Sequence, residues 1–262
     1  MPPTDPLEVA LEAARIAGDI LMKHIDAPLE IREKGRRADL VTLADGASER
    51  AVVERLRADF PNATFLGEES GVQSGTSRER WIIDPLDGTT NFAHGYPIFC
   101  VSIAFERDGE VIAAVIYAPA MNECFVAQRG SGATLNEHSI QVSSIDSMSA
   151  SLVCTGFQPA RYERNMRYFD AASQMTQGVR RDGSAALNLA YVAGGRFDLF
   201  WEFDLHQWDT AAGALLVREA GGLVTTIENG AWTLDSESVL ASNGHVHAEA
   251  SELFTRLRQS NS

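Results

Sequence analysis

Basic residues are in short supply in this chain: 22 Lys and Arg stand against 36 Asp and Glu among 262 residues, a formal net charge of −14 at pH 7. With an isoelectric point near 4.8, the surface repels a phosphodiester backbone. Nucleic acid is therefore not an expected partner, and any small anionic ligand must meet a local exception to the overall field. Cysteine is scarcer still. Cys100, Cys124 and Cys154 are odd in number and form no Cys-x-x-Cys pair; they read as small core residues, reduced thiols of a cytoplasmic protein. Long apolar runs are missing: no uncharged stretch approaches the roughly 20 residues needed to cross a bilayer. Asp5, Glu8, Glu12 and Arg15 are foreign to a signal peptide, so a soluble protein with no membrane partner is expected. The six histidines are scattered, none with a second metal ligand at helical or strand spacing. His206, close to Asp209, reads as a surface or supporting residue, and His245 and His247 read as solvent-exposed.

What is plentiful is apolar surface to bury, 45% of residues, enough for one domain of two lobes or for two small domains. Leu7, Ala10, Leu11, Ala14, Ala17 and Leu21 recur at helical spacing and predict a first helix over about Pro6 to His24. A short strand around Glu30 to Lys34, a polar loop from Gly35 to Asp39 and Leu40-Val41-Thr42 lead to a second helix beginning near Asp45, with Ala51, Val52, Leu56 and Phe60 inward. Asp45 stands where a plain helix N-cap would stand, and equally where a carboxylate could serve a site. A strand from Ala63 to Leu66 stops at Gly67 and leaves Glu68 and Glu69 at its tip, pointing to different sides, one of them solvated. The Gly/Ser/Thr-rich segment from Gly71 to Ser77 reads as a loop and a candidate lid.

Further on, Ile98 to Phe105 and Val111 to Tyr117 form a hairpin about Arg107-Asp108-Gly109, extended by a strand from Glu123 to Ala127. The Ser-rich stretch from Ser143 to Ser151 divides an α+β lobe, 1–142, from an α/β lobe, 143–262. In the second lobe, strands at Ser151–Cys154, Gly178–Arg181, Phe197–Glu202, Leu223–Thr226 and Ser238–Ala241 are interspersed with helices at Tyr162–Met175, Ser184–Val192, Trp208–Glu219 and Val246–Leu257. Such alternation favours an α/β layer. Arg180-Arg181 reads as a small anion site, an interface, or merely solvated charge.

The stretch that carries chemistry is Trp81-Ile82-Ile83-Asp84-Pro85-Leu86-Asp87-Gly88-Thr89-Thr90-Asn91-Phe92. A buried strand delivers Asp84 and Asp87 into a Pro/Gly turn with no neighbouring base. Two carboxylates and the Leu86 carbonyl between them are hard oxygen donors of the kind Mg²⁺ prefers. Gly88 permits a tight turn, and a short helix starting at Thr89-Thr90 must end by Pro97; its free N–H groups suit a phosphate. An Asp-Pro-x-Asp-Gly surface turn is the plainer alternative. EF-hand spacing is absent, and the two residues between Asp84 and Asp87 disfavour the aspartyl-phosphate route of haloacid-dehalogenase phosphatases, whose aspartates are one residue apart.

This block resembles the signature of the inositol monophosphatase family. A second family block matches at Trp208-Asp209-Thr210-Ala211-Ala212-Gly213 and Glu219-Ala220-Gly221-Gly222, and Gly67-Glu68-Glu69-Ser70 and Asp39-Leu40-Val41-Thr42…Asp45 also match. The resemblance covers nearly the whole chain. It implies the layered αβαβα sandwich of the sugar-phosphatase superfamily and Mg²⁺-dependent hydrolysis of inositol monophosphate, a small phosphorylated polyol, with lithium sensitivity and a homodimer; a related phosphatase of the fructose bisphosphatase or histidinol-phosphate kind, or a regulatory protein-binding role, is the alternative. On its motifs, Glu68, Asp84, the Leu86 carbonyl, Asp87 and Asp209 fall on metal-ligand positions, although Asp209 at a helix start is also a natural N-cap. Thr89 backed by Asp45 falls on the water-activating pair, with Glu69 in the same catalytic set. Gly88, Thr89 and Thr90 supply phosphate-facing N–H groups, and Gly183, Ser184, Ala185 and Glu202 fall on the polyol side. Ser184 stands where animal members commonly carry threonine, which keeps the hydroxyl.

Overall fold

The computed structural model describes residues 5–25, 31–33, 40–157 and 162–259. Helix α1, Pro6–His24, begins where the Asp5 carboxylate accepts from Leu7 N at 2.9 Å and Pro6 occupies the first turn. Both features satisfy or remove orphan N–H groups. Its inner face is built of small residues, Val9, Ala10, Ala13, Ala14 and Ala17, all buried. Such a face lets the helix lie close to the sheet, and a Cβ added at Gly18 would come within 2.4 Å of the Tyr117 ring.

Strands β1, Ile31–Glu33, and β2, Leu40–Thr42, form a separate antiparallel pair; the expected polar loop from Gly35 to Asp39 lies outside the described residues. Helix α2 then runs over Leu43–Asp59 with Ala44, Ser48, Val52 and Leu56 buried at one-turn intervals. It starts two residues earlier than the apolar pattern indicates. Asp45 is consequently inside the first turn rather than at the cap.

The first sheet has eight strands: β3 Thr64–Gly67, β4 Gly71–Gln73, β5 Glu79–Asp87, β6 Cys100–Arg107, β7 Glu110–Ala118, β8 Glu123–Gln128, β9 Gly132–Leu135 and β10 His138–Ile140. Their order is β10-β9-β8-β7-β6-β5-β3-β4, and every pair is antiparallel except β3 with β5. The β6–β7 hairpin turns at Asp108 and Gly109, both at positive φ (53° and 83°), as a two-residue turn matched to strand twist requires. Two expectations are corrected here. The segment from Gly71 is not all loop, because β4 pairs with β3 and Thr76 N and Ser77 N both donate to Asn62 O at 2.8 and 2.9 Å. The antiparallel sheet also continues past Ala127 through β9 and β10, whose short, half-exposed strands lack a strong apolar pattern.

The second sheet joins β11 Leu152–Thr155, β12 Gly178–Arg180, β13 Leu199–Phe203, β14 Leu223–Thr225 and β15 Ser238–Ser242 in the order β12-β11-β13-β15-β14. Four helices belong to this half: α4 Tyr162–Met175, α5 Ala185–Ala193, α6 Gln207–Glu219 and α7 His247–Gln259. Helices α1 and α2 cover one face of the first sheet, α5 and α6 lie between the sheets, and α4 and α7 cover the far side of the second. That is an αβαβα sandwich. Helix α5 is buried at every position, as a middle layer must be. Its approach to α6 depends on Gly213, where a Cβ would sit 2.4 Å from that of Leu189.

One apolar cluster runs through this middle layer, from Ile82, Ala104 and Ile116 across Leu189 and Leu216 to Phe200 and Ala241. A second, under α1 and α2, holds Trp81 and Phe105 with ring centroids 4.6 Å apart. Burial of each such large side chain contributes roughly 1.5–3 kcal/mol. Among the described residues no helix is long and apolar enough to cross a membrane. Cys100 and Cys154 are buried as expected, whereas Cys124 is only half-buried. His245 faces solvent, but His247 does not: it is 2% exposed and sits between the Thr225 and Ser242 hydroxyls at 2.9 and 2.8 Å. The reason is that α7 starts at His247, whose ring turns under the second sheet to use two strand hydroxyls as partners.

Candidate active site

Strand β5 supplies the centre of the site by breaking its own ladder. Asp84 pairs with Ser102 of β6 and Asp87 with Cys100, so the Pro85–Leu86 segment carries one residue more than the strand beside it. Proline donates no hydrogen bond, and a bulge at this place bends the strand and re-aims the residues beyond it. Leu86 N donates to Asp84 Oδ1 at 3.0 Å, and Ser48 Oγ of α2 donates to Pro85 O at 3.2 Å, fixing the bulge from both sides. Gly88 comes next at φ 97°, and a Cβ there would stand 2.8 Å from Ile98 O. Helix α3, Thr89–Ala93, opens at once, and the Thr89 hydroxyl donates back to Leu86 O at 3.1 Å. Thr90 in the same turn is exposed.

Asp87 reaches the second half of the molecule. Its Oδ2 accepts from Ser184 Oγ and from Ala186 N, both at 2.7 Å, which places the carboxylate at the N-terminus of α5. Cys100 Sγ donates to the same oxygen at 3.9 Å. Ser184 is itself the N-cap of α5. Thus Ser184 and the backbone beyond Ala185 touch Asp87 directly. Gly183, at φ 86°, leaves room for Asn91, whose Nδ2 donates to Ile98 O at 2.6 Å and to Asp182 O at 2.7 Å.

Asp209 lies in the first turn of α6 but is not its N-cap. His206 holds that position, and the Asp209 Oδ2 accepts from His206 N at 2.6 Å. The exposed His206 ring stacks on Trp208 with centroids 4.6 Å apart, while Ser102 Oγ donates to Trp208 O at 3.2 Å. The start of α6 is thereby fastened over β6. Glu202, on β13, is 8% exposed. Its carboxylate lies against Gly156, where a Cβ would be 2.2 Å from Oε2.

Asp45, Glu68 and Glu69 form the remaining part, each with an oxygen within 4.8 Å of the others. The expectation that Glu68 and Glu69 point apart, one into solvent, is corrected by this arrangement. Both are half-buried, because Glu49 holds the backbone of their turn.

Electrostatics tie the parts together. Burial pushes the Asp84 carboxyl well above its ordinary range, and the Glu68, Asp87, Asp209 and Asp45 charges push in the same direction. Asp87 is raised by burial, against the pull of the Ser184 hydroxyl and the α5 N–H groups. Asp209 is raised by burial and then by Asp87 and Glu68, with the His206 N–H opposing. Glu202 is raised well above its usual value by burial, Asp209 and Asp87, with Arg181 opposing. Crowded carboxylates reinforcing one another's protonation are what a divalent cation would relieve.

Glu49, Ser48, Ser102 and Gly156 are not among the residues the sequence marks for the site, and Cys100 is marked only as a core residue. Glu49 had a detectable signal, since it stands one helical turn after Asp45 on the same face. Gly156 had none, because its neighbour Glu202 is 46 residues away in sequence. A separate cavity of about 540 Å³ lies along α6 beside Arg80, Arg129 and Arg218. It contains none of the carboxylates above, and Arg80 and Arg129 already pair with Glu106 and Glu110.

Known proteins with this sequence pattern and fold are numerous. The model of the inositol monophosphatase family matches residues 4–262. A Rhizobium meliloti protein named inositol-1-monophosphatase is 42% identical over 256 residues, covering 95% of this chain and 96% of that protein. A Pseudomonas aeruginosa protein named Nus factor SuhB is 42% identical over 247 residues, covering 90% of this chain and 91% of that protein. Among solved structures, the extragenic suppressor protein suhB from Bartonella henselae superposes with a TM-score of 0.91 at 40% identity, over 94% of this chain and 97% of that one.

Proposed function

We propose that this chain, which belongs to the inositol monophosphatase family, is a Mg²⁺-dependent phosphomonoesterase that hydrolyses inositol monophosphate to inositol and phosphate. The observation that carries this reading is that Glu68, Asp87, Asp209 and Asp45 all bear on the buried Asp84 carboxyl, beside a cluster in which oxygens of Asp45, Glu68 and Glu69 lie within 4.8 Å of one another. The donor set fits Mg²⁺: all its members are hard oxygens, and no thiolate or imidazole is needed to complete it. Glu68, Asp84, the Leu86 carbonyl, Asp87 and Asp209 would hold the metal. When bound, Mg²⁺ supplies Lewis acidity toward the phosphoryl oxygens and acidifies water.

The chain's own residues do the rest. The Thr89 hydroxyl, which donates to Leu86 O at 3.1 Å, would have to turn from that carbonyl to give its proton to Asp45, so that Thr89 Oγ1 in turn accepts from the attacking water. Glu69 shares the cluster with Asp45 and adds a second acceptor there. Gly88, Thr89 and Thr90, in the first turn of α3, offer N–H groups that have no intrahelical partner by helix geometry, and these receive phosphate oxygens. Gly183, Ser184, Ala185 and Glu202 bound the polyol side. In this reading 1–142 carries the metal and phosphate groups, and 143–262 carries substrate selection and Asp209. Three free cysteines support a cytoplasmic setting, and a homodimer rests on the resemblance alone.

The deciding experiment is a phosphate-release panel over inositol phosphates, fructose bisphosphate, histidinol phosphate and nucleotide phosphates, with Mg²⁺ and with chelator. Preferred release from inositol monophosphate, lost with chelator, is the expected result. Preference for another sugar phosphate or histidinol phosphate moves the chain to a related metabolite phosphatase. Release from none, with Mg²⁺ present, supports a second reading, a regulatory protein-binding role, which the Nus factor name of a 42% identical relative favours. Lithium inhibition at millimolar concentration, tested against fixed Mg²⁺, belongs to the first reading.

A further inference from the structure

Glu49 belongs to no ligand set, yet its side chain is almost wholly withdrawn from water, 3% exposed. Both of its oxygens are in use: Oε2 accepts from Glu69 N at 2.9 Å and Oε1 from Ser70 N at 2.8 Å. The end of β3 is stripped to admit it, since a Cβ on Gly67 would stand 2.6 Å from Oε2. Glu49 also lies one turn beyond Asp45 on α2, and two residues with that spacing share a helix face. The helix is anchored independently by the Ser48 hydroxyl on Pro85 O at 3.2 Å and by buried Ala44, Val52 and Leu56. Asp45 and the grip of Glu49 therefore keep a fixed distance.

We propose that Glu49 is a positioning residue: by gripping the backbone of the Glu68–Ser70 turn, it holds Glu68, one of the proposed metal ligands, and Glu69 at a fixed spacing from Asp45, so that Glu68 stands ready to take a divalent cation. This inference rests on the metal-dependent reading above. Three carboxylates whose oxygens lie within 4.8 Å repel one another, and a turn free to move would relieve the repulsion by splaying outward. A carboxylate is the one side-chain group that presents two acceptor oxygens and no donor, so it meets two successive N–H groups with one oxygen each. A turn that needed only to be held could be held by a neutral hydroxyl, without a further negative charge beside three others. The added charge suits a cluster that receives a cation.

The test compares wild type with Glu49→Gln and Glu49→Asp, using Mg²⁺ titration by calorimetry and amide hydrogen exchange over residues 67–71. Gln sets an NH₂ against one of the two N–H donors, and Asp keeps the charge on a stem one methylene too short. Both variants should bind Mg²⁺ roughly 10–100-fold more weakly, the range for groups that orient metal ligands, and the Glu69 and Ser70 amides should exchange faster. Wild-type affinity in a folded variant overturns the proposal, as does wild-type exchange at both amides. Full affinity in Glu49→Asp alone also overturns it, because charge rather than position would then be what Glu49 supplies. Gly67→Ala, whose Cβ presses on the same carboxylate, gives the same readouts should the Glu49 variants not fold. Wild-type protein that takes up no Mg²⁺ would sink the functional reading instead, and the exchange measurement would still decide the grip.

Discussion

Asp84 shows most directly what a single side chain contributes and costs. It is 1% exposed, and each neighbouring charge that shifts it is another carboxylate. Asn in its place keeps the Oδ1 that accepts from Leu86 N and removes the charge that would hold a cation. Asp84→Asn should lower turnover at least ~100-fold, beyond the 10–100-fold typical of outer partners. The metal-free protein should nevertheless melt higher, by ~2–4 °C for each kcal/mol of repulsion relieved. Activity at saturating Mg²⁺ and a thermal melt with chelator check the two halves, and near wild-type turnover would remove Asp84 from the ligand set. His247 behaves in the opposite sense. Burial between two hydroxyls lowers its pKa from 6.5 to about 4, so between those values the unfolded chain binds the proton and the folded chain does not. Stability from this group is present above pH 6.5 and is lost as pH falls toward 4, on the order of 3 kcal/mol. Chelated wild type should therefore lose more melting temperature from pH 7 to 4.5 than His247→Gln does. Equal slopes would mean that folding leaves the protonation of His247 unchanged over that range.

At the scale of elements, the short helix α3 joins the two halves. Asn91 spends one amide nitrogen on Ile98 O and Asp182 O, so Asn91→Ala leaves two backbone carbonyls short of a donor and should cost ~1–3 kcal/mol. Because Asp182 adjoins Gly183 and Ser184, KM for inositol monophosphate should also rise, and paired melts and steady-state kinetics would show it. Unchanged KM would confine Asn91 to folding. The segment after Gly71 is bonded more firmly than its composition suggests: Gly75 N donates to the Thr64 hydroxyl at 3.0 Å, and Thr76 and Ser77 donate to Asn62 O. Amides 75–77 should exchange slowly with and without substrate, whereas fast exchange that slows on binding would restore the lid. The strongly periodic elements were legible in sequence, α1 to the residue, because capping and apolar spacing agree there. Strands β4, β9 and β10 were not, since their pairing is set by neighbouring strands rather than by their own pattern.

Across the whole molecule, the site is a meeting of both sheets. Contiguous motifs displayed Asp84, Asp87 and Asp209 in the sequence, but the contacts that orient them come from distant segments, Ser184 97 residues from Asp87 and Trp208 106 residues from Ser102. Such pairings leave no local trace, which is why Ser102 and Gly156 emerged only with the fold. Under the proposed function, Glu202 is the residue that would make this division functional. It comes from β13 of the second sheet, while the groups proposed for phosphate come from the end of β5 and the start of α3. Yet Asp209 and Asp87 both act on its charge, and burial against Gly156 keeps it from turning away. A carboxylate held there can accept from polyol hydroxyls, a strong contact that is costly to leave unpaired. Glu202→Gln should therefore raise KM for inositol monophosphate more than it lowers kcat, while an aryl phosphate lacking hydroxyls is hydrolysed almost as before. Equal losses on the two substrates would instead assign Glu202 to the metal and nucleophile groups, and selection of the alcohol would have to be sought elsewhere in the second half of the chain.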